Sequence, residues 1–336
     1  MNERIAVIAE AGTNHNGQRK TAERLVDVAA EAKADSVKFQ IIYPEGLYLP
    51  KLYDHGELTD NAVYAKRRAA MLADDDYRFL AGLCREHGLD FGASVFDERG
   101  LRLLDEIGAA YTKIASCDLN HSRLLISAAQ RCRRLIISTG MATLGEIERA
   151  VADVARAGAK DVVLLHCVSE YPCPTERMNL AFIKVLQSAF GLPVGLSDHT
   201  ENSLAAAAAV SLGVTCIEKH FTLDRKQEGF DHAYAMDPGG LAQYIREVRV
   251  TEQACRLQAT KVGSGEAGVR ARARRSLYAA RDLAAGELMS DADVLVVRPE
   301  GPLAPNDLPL FVGRRVRRSI RRYAALTTDA FEGEGR

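Results

Sequence analysis

The chain has no tryptophan, and aromatic residues make up only 6% of its 336 positions. A core without large aromatic anchors must be filled by aliphatic side chains, and a hydrophobic fraction of 47% supplies them. Charge of one sign is also missing: 44 Lys and Arg stand against 45 Asp and Glu, a formal net charge of -1. No global field therefore draws the molecule to nucleic acid or a membrane surface, and a charged ligand must be met by a local site. No apolar run reaches the ~18 residues of a membrane-spanning helix. Asn2, Glu3 and Arg4 open directly into a short strand-like run rather than a basic-then-apolar leader, which predicts a soluble, cytoplasmic protein. The seven cysteines, at 84, 117, 132, 167, 173, 216 and 255, are odd in number and form no Cys-x-x-Cys pair, so reduced thiols are expected.

What is present is a repeated theme. A short β-rich run, a polar or Gly-containing turn and an amphipathic helix recur eight times, with strands expected at 5–9, 36–40, 90–94, 111–115, 135–138, 162–166, 193–196 and 216–219. Their near-continuous apolar character, as in Val162-Val163-Leu164-Leu165, suits strands buried on both faces of a parallel sheet. Between them, Ala22, Leu25, Val26 and Ala29 follow helical spacing, and Thr143 with Glu146 forms a capping-box signature. Eight such units predict an α/β fold of the (β/α)8 TIM-barrel type over residues 1–260. The long 41–73 connection interrupts the pattern and would lie over the mouth of the barrel. Glycines mark 261–275 as a flexible linker, and 276–336 reads as a small β-rich module.

Catalytic groups in such a barrel come from the C-terminal ends of the strands and the loops after them. Those positions carry Glu10, Lys38, Gln40, Ser94, Lys113, Ser116, Ser138, His166, Ser169, Ser197, His199, Glu218 and His220. Lysine is rarely buried unpaired, so Lys38 and Lys113 each require an anion. Either a carboxylate such as Glu10 or Glu218 supplies it, or a small polyanion bearing phosphate and carboxylate does. His199 and His220 stand just past two neighbouring apolar runs, where two imidazoles can share one divalent metal and leave most of its coordination sphere open. Glu10, Asp118, Glu218 and Asp231 are the carboxylates available for proton transfer. Together these residues describe a metal-assisted carbon-carbon condensation.

At this point the chain resembles the sialic acid synthase family. The landmarks are Ala9-Glu10-Ala11-Gly12-Thr13-Asn14-His15-Asn16-Gly17, Val37-Lys38-Phe39-Gln40, Lys113-Ile114-Ala115-Ser116, Ser138-Thr139-Gly140-Met141, Leu165-His166-Cys167, Gly195-Leu196-Ser197-Asp198-His199-Thr200, Glu218-Lys219-His220-Phe221-Thr222 and Asp231-His232. The resemblance implies condensation of phosphoenolpyruvate with the open-chain form of an N-acylated hexose, giving a nonulosonic acid and releasing phosphate by C–O cleavage. It implies that His199 and His220 hold a Mn or Mg ion, and that Lys38, Ser94, Lys113, Ser116, Ser138, Ser169 and Ser197 line the phosphoenolpyruvate site. Glu10, Asp118, Tyr171 and Asp231 would then face the sugar. The C-terminal module resembles the antifreeze-like SAF domain, which implies a domain-swapped homodimer in which Arg298 is offered to the partner's sugar.

Several positions depart from the family's pattern. Ser94-Val95-Phe96-Asp97 replaces the usual Thr-Pro-Phe-Ser, and Cys117-Asp118 replaces Gly-Glu. Ala233-Tyr234-Ala235-Met236 stands where a stretch containing Ser-Leu is usual. The phosphoenolpyruvate and metal half is thus expected to be intact and the sugar half altered, which leaves the sugar open. Deoxy-octulosonate-type synthases, which take phosphorylated sugars, and a catalytically silent sugar-binding homologue are the rival classes.

Overall fold

Short apolar runs closed by polar turns become strands here because each is covered on both faces. The structure is a computed structural model and describes residues 4–257, 259 and 261–333. The chain divides into two units, Met1–Arg256 and Leu257–Arg336.

In the first unit eight parallel strands close into a barrel: β1 (Ala6–Gly12), β2 (Ser36–Ile41), β5 (Asp90–Val95), β6 (Tyr111–Ile114), β7 (Leu135–Ser138), β8 (Val162–Cys167), β9 (Val194–Asp198) and β10 (Cys216–His220). They follow one another around the barrel in chain order, and β10 pairs with β1 to close it. All eight expected strands are present, with ends shifted by up to a few residues. The outer ring is formed by α1 (Arg19–Glu31), α4 (Asp74–Glu86), α5 (Glu98–Ile107), α6 (Ser122–Arg131), α7 (Leu144–Arg156), α8 (Phe182–Phe190), α9 (Leu204–Ser211) and α10 (Pro238–Cys255). On α1 the buried stripe is Ala22, Leu25, Val26, Val28 and Ala29, and burial of Leu25 or Val26 is worth about 1.5–3 kcal/mol each. The Thr143–Glu146 capping box opens α7 as expected.

Inside the barrel, Ile8, Tyr111, Ile136, Val163, Leu165 and Cys216 form a closed apolar plug. Gly92 makes room for it, since a Cβ there would stand 2.3 Å from the Tyr111 ring. The plug seals the N-terminal half of the barrel, so the next inward layer, which begins with Glu10 and Glu218, has its chemistry at the C-terminal end. The 41–73 connection folds into α2 (Pro44–Leu47), an exposed antiparallel hairpin of β3 (Lys51–Asp54) and β4 (Glu57–Asp60), and α3 (Ala62–Ala69).

In the second unit, β11 (Ser276–Ala279) pairs antiparallel with β12 (Val294–Val297), and further isolated bridges such as Leu283–Ile320 and Val316–Phe331 surround a core of Leu277, Met289, Phe311 and Leu326. The flexible linker expected at 261–275 is corrected: Ser264–Ala273 form a helix, α11. Glu266 in its first turn and Arg270 and Arg272 in its last complement the helix dipole, which offsets the cost of its glycines. The helix is also tied within its own unit, because the Glu300 backbone N–H donates to the Ala271 carbonyl and Arg270 donates to the Glu300 carboxylate at 2.9 Å.

Candidate functional site

Strand register brings four buried charges into one layer. Glu10 lies beside His220 on β10 and beside Lys38 on β2, while Glu218 lies beside Ser197 on β9. Lys38 Nζ reaches Glu10 Oε2 at 2.8 Å, Ser94 Oγ at 2.9 Å and Glu218 Oε2 at 3.5 Å. Lys113 crosses the barrel to donate to both oxygens of Glu218, at 3.1 and 3.0 Å, and Ser197 Oγ donates to Glu218 Oε1 at 2.8 Å. Both lysines therefore have carboxylate partners. Lys38 hydrogen-bonds Ser94 and meets Glu10 and Glu218 as ion pairs, whereas Lys113 spends two donors on Glu218 and keeps one for a further acceptor.

The two carboxyl groups are pushed apart in acidity. Burial raises the Glu10 carboxyl against the pull of Lys38, and the neighbouring Glu218 adds to the rise. Burial also acts to raise Glu218, but Lys113 and Lys38 outweigh it and hold it well below the usual carboxylate range. Glu218 is thus a fixed anion, and Glu10 is the member of the pair suited to carry a proton. Gln40 Nε2 donates to Glu10 Oε1 at 2.8 Å, which leaves Oε2 facing Lys38.

A cradle of hydroxyls lies beyond β6, β7 and β8. The Gly140 backbone N–H donates to Ser116 Oγ at 3.0 Å. A Cβ at position 140 would stand 2.3 Å from Ser169 Oγ, 2.8 Å from Ser116 Oγ and 3.1 Å from Cys167 Sγ, so only glycine keeps the cradle open. Ser138 Oγ is buried without a hydrogen-bond partner.

Four rings adjoin the cradle, with Cys167 Sγ 4.0 Å from Ser169 Oγ and 3.9 Å from His199 Nδ1. His199 and His220 have centroids 5.4 Å apart, and Tyr171 packs tilted at 42° with its centroid 4.2 Å from that of His199. Tyr234 packs 5.0 Å from Tyr171 and edge-on to His220 at 5.4 Å. His199 Nδ1 lies 2.8 Å from the Val168 carbonyl oxygen, which can only accept, so Nδ1 carries the hydrogen and Nε2 the lone pair. Among the described residues His220 Nδ1 is buried without a hydrogen-bond partner, and burial, against the pull of Asp231, pushes this imidazole down to about 3. Burial thus holds His220 neutral, whereas for His199 burial is outweighed by the contacts with Cys167 and the Val168 carbonyl, which raise the imidazole above its ordinary value. The outer hydrogen bond on His199 is typical of metal-ligating histidines. Among the described residues no group of three or more His, Cys, Asp and Glu closes on a metal position, so the protein would hold an ion through these two imidazoles alone.

Other sequence-predicted residues are not drawn into this cluster. Asp118 ends a short turn after β6, and its hydrogen-bond contact is with the adjacent Cys117 thiol at 3.7 Å. His166 points outward and bonds the Met178 carbonyl oxygen at 2.7 Å, because side chains alternate along β8 and its odd-numbered neighbours take the inner face. Arg298 follows β12 in the second unit. Arg67 and Tyr234 are site residues that sequence reasoning passed over. Arg67, on α3, donates to Thr13 Oγ1 at 2.8 Å and lies 3.4 Å over the Phe230 ring, while the buried His15 Nε2 and Arg67 Nε beside it have no hydrogen-bond partner. The signal for α3 was Asn61, whose side chain caps the helix by accepting from the Val63 and Tyr64 N–H groups.

A cavity of about 640 Å³ opens at the other, N-terminal end of the barrel, lined by Ile5, Val210, Val214, Arg249 and Cys255 among others, and none of the predicted site residues reaches it.

Residues 25–260 match the NeuB family and residues 274–332 match the SAF domain. The chain belongs to the NeuB family. It is 35% identical over 320 residues to the N,N'-diacetyllegionaminic acid synthase of Legionella pneumophila, covering 92% of this chain and 90% of that one. It is 29% identical to the pseudaminic acid synthase of Helicobacter pylori, covering 97% of each. The crystal structure of the N-acetylneuraminic acid synthetase of Leptospira borgpetersenii, solved with citrate, superposes with a TM-score of 0.70 at 33% identity over 80% of this chain and 92% of that one. Its closed barrel carries the NeuB match and its second unit the SAF match.

Proposed function

We propose that this NeuB-family chain is a phosphoenolpyruvate-dependent synthase, a transferase of the N-acetylneuraminate synthase type, that joins phosphoenolpyruvate to an N-acylated hexose and releases phosphate by C–O cleavage. The observation that carries this reading is the hydroxyl cradle that glycine at 140 keeps open, joined through Cys167 to the two-histidine, two-tyrosine wall. Ser116, Ser138, Ser169 and Lys113 would bind the phosphate end, and Lys38, Ser94 and Ser197 would hold the four-charge layer in register beneath it. Because each lysine already faces a carboxylate, hydroxyl donors carry much of the phosphate recognition. Glu10 is placed to give a proton to a developing alkoxide, and Glu218 fixes Lys113. Asp231 and Tyr171 would face the sugar.

His199 and His220 fit a divalent ion, Mn or Mg, by their tautomer and their unpartnered nitrogen. Such an ion supplies Lewis acidity toward a substrate carbonyl oxygen when bound. The second unit supports a domain-swapped homodimer in which Arg298 reaches the partner's sugar, and seven free thiols suit a reducing cytoplasm.

The test is phosphate release from phosphoenolpyruvate with Mn across N-acetylmannosamine, a diacetamido-trideoxyhexose, mannose and arabinose 5-phosphate. Release with an unphosphorylated acylated hexose is expected. Release with arabinose 5-phosphate alone would move the enzyme to the octulosonate class, and none with any acceptor would overturn the synthase reading.

A further inference from the structure

Tyr234 stands where the family's pattern usually differs, and its hydroxyl is spent on the site itself. The phenol donates to Asp231 Oδ1 at 2.6 Å, while Asp231 Oδ2 is buried with no hydrogen-bond partner among the described residues. The free oxygen faces the working side of the barrel: a Cβ on Gly12 would come 3.0 Å from Asp231 Oδ2, 3.4 Å from Gln40 Nε2 and 3.5 Å from Glu10 Oε1. Asp231 therefore offers one acceptor toward Glu10 and Gln40, and its second oxygen is capped.

The arrangement is rigidly held. Met236 bridges to Phe221, with the Met236 N–H donating to the His220 carbonyl at 3.0 Å and the Thr222 N–H to the Met236 carbonyl at 2.8 Å. His232, next to Asp231, is bonded through Nδ1 to Thr222 Oγ1 at 2.7 Å and through Nε2 to Asn16 Nδ2 at 3.2 Å. The Tyr234 ring packs at 48° against Tyr171, and the two ring surfaces suit C–H faces of a sugar rather than hydroxyls.

A carboxylate with both oxygens free grips two neighbouring hydroxyls of a sugar. With the phenol seated on Oδ1, a second hydroxyl arriving there must crowd in beside the phenol on the same oxygen or displace it, and either outcome weakens binding. We propose that Tyr234 sets acceptor specificity by capping one oxygen of Asp231, so that the site takes a hexose presenting a single hydroxyl there, its neighbouring carbon deoxygenated or N-acylated, rather than a vicinal diol. This rests on the synthase reading above and names the class of acceptor within it.

The experiment compares the wild-type protein with Tyr234→Phe, using calorimetric titration with N-acetylmannosamine and its 4-deoxy and 6-deoxy analogues, alongside phosphate release with each. The wild type is expected to bind one deoxy analogue at least tenfold more tightly than the parent sugar. Tyr234→Phe, which frees Oδ1 and keeps the ring, is expected to bring the parent to within about threefold of that analogue by lowering its KM, with the KM for phosphoenolpyruvate unchanged. A variant that shifts all three sugars by one factor, or none, overturns the role of Tyr234. A wild type that shows the Tyr234-dependent preference but releases no phosphate keeps this inference and overturns the synthase reading. Phosphate release with no Tyr234-dependent preference does the reverse, and no sugar binding at all overturns both.

Discussion

Glu218 accepts from Lys113 twice and from Ser197 once, and lies 3.5 Å from Lys38, all in the interior of the barrel. Glu218→Gln leaves two buried ammonium groups short of their anion, and the expected loss is about 3–5 kcal/mol of stability in urea denaturation at neutral pH. The sign of its pH dependence follows from the depressed carboxyl. The stabilisation is fully present above the unfolded value of 4.5 and is lost as pH falls below it toward the folded value. The gap between wild type and Glu218→Gln should therefore narrow as the pH is lowered through 4.5, and a gap constant from neutral pH to pH 3 would contradict the assignment. At Gly140, alanine would press on Ser169, Ser116 and Cys167 at once, and the KM for phosphoenolpyruvate should rise roughly 10- to 100-fold with the KM for the acceptor nearly unchanged. His199→Ala or His220→Ala should abolish metal-dependent turnover while circular dichroism of the barrel stays as in the wild type. The inward position of these residues was legible because period-two alternation along each strand separates Glu218 and His220 from the outward Lys219, which pairs with Asp198 at 3.3 Å. Which lysine meets which carboxylate was not legible, since that depends on register between strands far apart in sequence. Tyr234 was missed for a related reason: its polar partner, Asp231, is itself fixed by a fold-back of the loop onto β10.

Among the elements, the eight barrel strands could be read from the chain because continuous apolar runs bounded by turns have one stable use, burial on both faces. The 41–73 connection resisted reading because its pieces are exposed and short: every residue of β3 and β4 is exposed, and no residue of α3 is buried. Arg67 ties α3 to the barrel mouth through Thr13 and the Phe230 ring. A hydrogen bond and a cation–π contact together are worth about 1–3 kcal/mol, so Arg67→Ala should speed proteolytic cleavage within 41–73 several-fold or more while leaving the global unfolding midpoint within about 1 °C. Unchanged cleavage would mean that the connection is held by other contacts. The helix α11 was hidden by its glycines, and its dipole-matched charges and its bond to Glu300 explain why it forms.

On the scale of the whole molecule, the two units, Met1–Arg256 and Leu257–Arg336, each carry a core of their own. The proposed swapped dimer makes a definite prediction. Lys113→Ala disables a barrel and Arg298→Ala disables a sugar contact, and each should be inactive alone. Co-expression should restore roughly a quarter of wild-type activity, because half of the randomly formed dimers hold one intact barrel served by an intact Arg298 from the other chain. No restoration in dimers shown to be mixed would place Arg298 at its own chain's site or at none. The central claim is that this barrel breaks the C–O bond of phosphoenolpyruvate as it joins it to an acylated hexose. The most direct measurement uses phosphoenolpyruvate carrying ¹⁸O at the oxygen bridging C2 and phosphorus, with Mn and the acceptor that supports turnover. Recovery of the label in the released phosphate, and only when the hexose is present, is the predicted result; label retained in the organic product, or phosphate released at the same rate without the hexose, would contradict it.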